Sequence, residues 1–233
     1  MKKVLFTLIL TAFAGISMAQ EQKATRVEKQ QTQTTEENAD TWKSYGGEWF
    51  FGVGAGAQYY IGDHNRQADI KDNLTPSVKA YVGRWFTPIW GLRLQYQGYQ
   101  CNGLTVSYEA NHAVGDLIQF NNGSWGYKQQ FNYLNLSADV MFNMTQLIYG
   151  KGVQKCVNVI PYLGAGWAYV YTKPVADSFS FGGGFLTTCK LAKHLNLVLD
   201  LHAMILQDKW DDIRGGRHGE GIVDASLGLN YHF

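Results

Sequence analysis

The chain has 233 residues, 45% hydrophobic and 14% aromatic, with 20 Lys and Arg against 19 Asp and Glu. A net charge of +1 gives no electrostatic reason to expect a nucleic acid partner, and beyond the first 19 residues no apolar run approaches the ~18 residues of a membrane-spanning helix. A mean hydropathy of −0.22 with 26 Gly, 7 Trp, 14 Tyr and 12 Phe still fits membrane strands that alternate, since half of each strand is polar and hides the rest from a window average.

Residues 1–19 carry a short basic start (Lys2, Lys3), an apolar run from Val4 to Ile16, and small residues before a cut after Ala19. This is expected to be a secretory signal peptide, because the run is too short to span and a small-residue site follows it. Without it the charges are 18 basic against 19 acidic, since Lys2 and Lys3 leave and no acid does. No Cys follows the cut, so no lipoprotein anchor is expected. Residues 20–45, rich in Gln, Thr and Glu, hold too little apolar surface to offset ordering entropy, and read as a disordered periplasmic leader.

Strands and turns follow across 46–233. The first strand, Glu48–Ile61, sets Trp49, Phe51, Val53, Ala55, Ala57, Tyr59 and Ile61 on one face and Gly52, Gly54, Gly56 and Gln58 on the other. That is a period of two. A loop at Asp63–Thr75 leads to Pro76–Thr87, with Val78, Ala80, Val82 and Phe86 against Lys79, Tyr81, Gly83 and Trp85. Arg84 falls among the apolar residues, placed to reach headgroups or to be turned inward by a bulge. After the turn Pro88–Gly91, the third strand (Leu92–Leu104) opposes Leu92, Leu94 and Tyr96 to Arg93, Gln95 and Gln97.

Thr105–Gln129 is read as a long polar loop, with Asn122-Gly123 its clearest turn signal. The fourth strand, Gln130–Asn143, opposes Leu134, Leu136, Ala138, Val140 and Phe142 to Tyr133, Asn135, Ser137 and Asp139. A link at 144–156 precedes Val157–Tyr171, then come Ser178–Lys190, Leu195–Leu206 and the closing strand Gly221–Phe233. Asp208–Glu220 is the last loop. In the closing strand Val223, Ala225, Leu227, Leu229, Tyr231 and Phe233 share a face opposite Asp224, Ser226, Gly228, Asn230 and His232. The count is eight, an even number, as single-chain bacterial barrels have. An all-β, eight-stranded antiparallel up-and-down transmembrane barrel is therefore expected, its apolar faces on lipid.

Three features add a resemblance: Pro161-Tyr162-Leu163-Gly164-Ala165-Gly166, Pro88-Ile89-Trp90-Gly91-Leu92-Arg93, and the ending Tyr231-His232-Phe233. Together with the Gly-rich first strand they resemble the eight-stranded outer-membrane barrels of the OmpA type, as in Bacteroidetes-like bacteria. The resemblance covers about 46–233. It implies a cell outer membrane location in a Gram-negative bacterium, outer-membrane lipid as surroundings, and an assembly machinery that reads Tyr231 and Phe233. The peptidoglycan-binding domain of the full OmpA architecture has no counterpart in these residues.

Lys79, Arg93, Asp139, Asp200, His202 and Asp224 are the ionisable inward positions. In a narrow barrel they are expected to pair, because an isolated buried charge is too costly. An acid–base site of His202 with Asp200 or Asp224 is the competing reading. No Ser occupies a nucleophile motif, and His64, His112, His194, His202, His218 and His232 are scattered, so neither catalysis, nor a metal, nor a cofactor is expected. Cys156 and Cys189, at ends of adjacent strands on one side of the membrane, are candidates for a disulfide, leaving Cys101 free. Trp49, Tyr59, Tyr60, Trp85, Trp90, Tyr99, Trp167, Tyr169, Tyr171 and Tyr231 are assigned to two aromatic belts. The expected role is structural or interactive, in envelope integrity or adhesion, with a host or cell-surface ligand at the loops. A narrow channel, a barrel-embedded lipid hydrolase and a soluble lipocalin-like barrel are the alternatives.

Overall fold

The computed structural model describes residues 48–62, 73–105, 112–120, 123, 125–150, 156–207 and 220–233. The signal peptide and leader assigned to 1–45 lie outside these residues, as do most of the loops 63–75 and 208–220.

The described residues form nine strands: β1 (Trp49–Ile61), β2 (Leu74–Trp85), β3 (Trp90–Thr105), β4 (Ala113–Gln119), β5 (Trp125–Phe142), β6 (Val157–Val170), β7 (Ala176–Lys190), β8 (Leu195–Leu206) and β9 (Glu220–His232). Each of β1, β2, β3, β5, β6, β7, β8 and β9 pairs antiparallel with its neighbour in that order, and β9 returns to β1. These eight form a closed barrel, so each barrel strand has a neighbour on both sides. Closure runs from Phe50 opposite His232 to Ile61 opposite Gly221, and Phe233 N–H donates to Trp49 O at 3.1 Å.

The period of two fixes which way each strand faces. Leu163 is 61% exposed on the outside while Arg93 is 1% exposed within, the reverse of a water-soluble barrel. That orientation rules out the lipocalin-like alternative, which needs the apolar face inward. Arg84 stays on the outer wall without a bulge, its guanidinium 5.6 Å from the ring centres of both Trp49 and Phe86, as expected of a cation held at the aromatic girdle. Two belt assignments are corrected. Tyr60 and Trp85 are buried, because their places in the alternation put them on the inner face. Tyr99 departs from its inward parity: it has a φ of 122° and its side chain is exposed.

Two further elements differ from expectation. β4 (Ala113–Gln119) lies within the segment 105–129, where the sequence predicts a loop. β5 pairs with β3 as far as Thr105 opposite Tyr127, whereas β6 leaves β5 at Tyr133 opposite Val170. The edge of β5 beyond that point is taken by β4, with Ala113 opposite Gln129 and, after a shift in register, Gln119 opposite Trp125. Gly115, at φ 79°, lies within the shift, in a backbone state that glycine adopts freely.

At the opposite rim, which carries the short turns, the link 144–156 contains a one-turn-and-a-half helix, α1 (Met144–Tyr149). Asn143 caps it by accepting from Gln146 N–H at 3.1 Å, and Gly150 at φ 89° ends it. Asn143 N–H also donates to Ile89 O at 2.7 Å, which ties the helix start to the neighbouring turn.

Candidate functional site

The lumen is built in three layers. Nearest the rim of short turns, Phe50, Tyr81, Trp85, Met141, Ile160, Tyr162, Leu186 and Val198 form one buried apolar cluster. Toward the loop end, Tyr60, Cys101, Phe131, Tyr133, Ala168, Val170, Met204, Leu206 and Ile222 form a second. The charged side chains lie between the two. Glycines on the inner wall make the room for this filling. A Cβ on Gly52 would fall on the Tyr81 ring, and one on Gly164 would fall on Asp139 Oδ1.

Six inward residues named from the sequence come together as follows. Lys79 of β2 places Nζ 3.0 Å from Asp200 Oδ2 of β8 and also bridges to Asp224 of β9. Ser77 Oγ donates to Asp224. Arg93 of β3 reaches Asp139 of β5 with Nη2 at 2.7 Å and Nε at 2.9 Å, and its Nη1 lies 3.8 Å from Asp200 Oδ2. The charges thus form one chain, Asp224–Lys79–Asp200–Arg93–Asp139, that crosses the lumen. All five are at least nine-tenths buried, where each partner is needed to offset the lost hydration of the other.

Two tyrosines complete the cluster. The Arg93 guanidinium lies 4.3 Å from the Tyr162 ring centre and 5.1 Å from that of Tyr81, so its planar cation is held by aromatic faces as well as carboxylates. Tyr162 O–H donates to Asp200 Oδ1 at 2.7 Å, and Ser137 O–H donates to Asp139 Oδ1 at 3.1 Å. Alternation puts Tyr81 inward beside Val82 and Tyr162 inward beside Leu163; their grip on Arg93 depends on cross-lumen stagger that the sequence does not state. His202 sits opposite Asp224 in register, but its ring stacks on Tyr162 (5.9 Å between centres, 16° apart). Asp200 and Asp224 are engaged by Lys79, Tyr162 and Ser77. The arrangement braces the wall, with hydroxyls, carboxylates and cations engaged by one another.

The disulfide expectation is corrected. Cys156 and Cys189 are both free thiols. Cys189 stands opposite Val157, and Lys190 N–H donates to Cys156 O at 3.0 Å. One step of register separates the two cysteines, and one step along a strand turns a side chain to the other face. Tyr231 and Phe233 lie together on the outer wall, ring centres 5.3 Å apart.

No family model matches the chain. A stretch of 136 residues, 58% of the chain, is 26% identical to Outer membrane protein 40 of Porphyromonas gingivalis, and the match spans 31% of that protein's length. Among solved structures, Neisserial surface protein A is similar at 11% identity and a TM-score of 0.48, covering 79% of this chain and 97% of that one. The outer membrane protein OprG from Pseudomonas aeruginosa is similar at 11% identity and a TM-score of 0.48, covering 81% and 97%. The fold is a closed, inside-out, eight-stranded barrel. The OmpA-type expectation agrees with it.

Proposed function

We propose that the protein is a small integral barrel of the cell outer membrane, exported through a cleaved signal peptide at 1–19, whose lumen is a sealed core and whose interactions are made at its loop end. The carrying observation is the pairing of an apolar outer wall with a lumen that holds two buried apolar clusters and an ion-paired chain of alternating charge between them. Eight strands leave an interior that side chains can fill, and the buried clusters with the ions between them support a filled lumen. The role that fits is non-enzymatic: envelope integrity, or adhesion to a host or cell-surface ligand through the loops, where binding residues concentrate on a rigid scaffold. Outer-membrane lipid surrounds the wall, and Tyr231 and Phe233 are the residues offered to the barrel assembly machinery. The similarity to Outer membrane protein 40 supports the location.

Planar-bilayer recording of the purified protein tests the sealed lumen. A quiet bilayer, containing barrel verified by its altered gel mobility before heating, is the expected result. Stable large openings from single barrels would replace this reading with the narrow channel.

A further inference from the structure

α1 has an outer face made of apolar side chains. Leu147, Ile148 and Tyr149 are all more than half exposed and Met144 is 36% exposed, while Thr145 is the buried residue. On a helix, positions 144, 147 and 148 fall on one side. Such a surface on so short an element calls for a partner.

The sheet beside it indicates which one. β5 ends at Phe142, and its pairing with β6 starts only at Met141 opposite Tyr162. The first residues of β6, from Val157, therefore pair with β7 alone and leave a bare edge toward β5. Thr145 Oγ1 accepts from Val159 N–H at 2.9 Å, so α1 closes that edge. Within hydrocarbon no water can satisfy a free backbone donor, so a sheet edge must be covered. At the same place the outward residues Val157, Val159 and Pro161 are only half-buried, where the next outward residue, Leu163, is freely exposed. The helix takes over their outward role with Met144, Leu147 and Ile148. Its surface is continuous with the outer wall at this rim, where Trp90, Phe142, Trp49, Tyr231 and Phe233 are exposed and Phe86 stacks on Trp90 at 4.7 Å.

We infer that α1 lies in the phospholipid leaflet at the rim of short turns, sealing the β6 edge and anchoring that rim by its apolar face at headgroup depth. Such shallow burial is the usual depth of an interfacial helix. The inference rests on the outer-membrane reading of the barrel, and the test separates the two.

A fluorescent NBD label is attached to Ile148→Cys, and in a second protein to Leu199→Cys on the mid-wall of β8, both with Cys156→Ser and Cys189→Ser. Cys101, fully buried, remains. Each protein is folded into dilute phosphatidylcholine vesicles containing lipid brominated either near the headgroup or near the chain end. The label at 148 should lose about half its emission to the shallow quencher and less to the deep one, with the order reversed at 199. Leu147→Cys provides a second helix position should Ile148→Cys fold poorly. Quenching at 199 with none at 148 and 147 overturns the anchor while sparing the barrel; shielding of the helix positions from bromine and from aqueous iodide alike means that a protein surface covers α1, and overturns it too. No quenching at 199 removes the membrane reading and the anchor together.

Discussion

Arg93 and Asp139 face each other directly across the β3–β5 pair, with Nη2 2.7 Å from Oδ2, while the same guanidinium lies 3.8 Å from Asp200 on the far wall. A local pair is thereby joined to a cross-lumen one. Asp139→Ala leaves Arg93 buried without its main partner and should destabilise the barrel by about 3–5 kcal/mol. Arg93→Met with Asp139→Leu, which removes both charges, should cost less than that single change. Urea unfolding in detergent micelles, followed by tryptophan fluorescence, compares the two.

Leu199 is on the outer wall of β8, opposite Leu227. Leu199→Arg should lower stability by roughly 2–4 kcal/mol if that wall meets lipid. The inward change Ser137→Ala removes one hydrogen bond and should cost about 1 kcal/mol. Equal effects, measured by unfolding in lipid vesicles, would contradict the facing of every strand at once.

Protein prepared without reductant should show three reactive thiols after denaturation, because register keeps Cys156 and Cys189 apart. In the folded state Cys156, which is exposed, should react with a thiol reagent and Cys101 should not. A count of one thiol after denaturation would restore the bridge.

Thr145→Val keeps the shape of the side chain at the start of α1 but removes the acceptor for Val159 N–H. A loss of about 1–3 kcal/mol is expected, the range for leaving a buried donor unmade. Hydrogen exchange at Val159 should rise with it, and unchanged protection there would show that the edge is sealed by other means.

Deleting Phe233 should lower the yield of heat-modifiable barrel in the membrane fraction and leave export intact. The prediction follows from the outward placement of Tyr231 and Phe233 on the closing strand. Wild-type yield would remove these residues from the assembly signal.

The facing of the barrel strands was legible because two solvents write it. Lipid requires apolar residues outside and the lumen requires small or polar ones inside, so Val223 to Phe233 or Leu195 to Ile205 can be read by parity alone. β4 escaped notice because most of its residues are exposed; without a buried face there is no alternation to see. α1 is too short for a helical period, and its signals were the cap Asn143 and the stop Gly150. The charge chain was legible as a list of inward ions, not as pairs, since which ions meet depends on the stagger of strands around the ring. The disulfide candidate has the same origin, since the sequence leaves open the register that sets Cys189 opposite Val157 rather than Cys156. Tyr60 and Trp85 show the cost of reading aromatic type ahead of parity.

The β1–β9 seam has a temporal meaning as well as a geometric one. Phe50 and His232 are partners at opposite ends of the barrel sequence, so the seam is the contact of greatest chain separation and the dearest in loop entropy. Until β9 is delivered, Lys79 lacks Asp224 and no wall encloses the charge chain. In an open ring those side chains would stay within reach of water; in the closed one they have one another. Closure is thus what makes the interior a separate phase: with β1 and β9 joined, ions that would suit water are enclosed by a wall whose outer face is apolar.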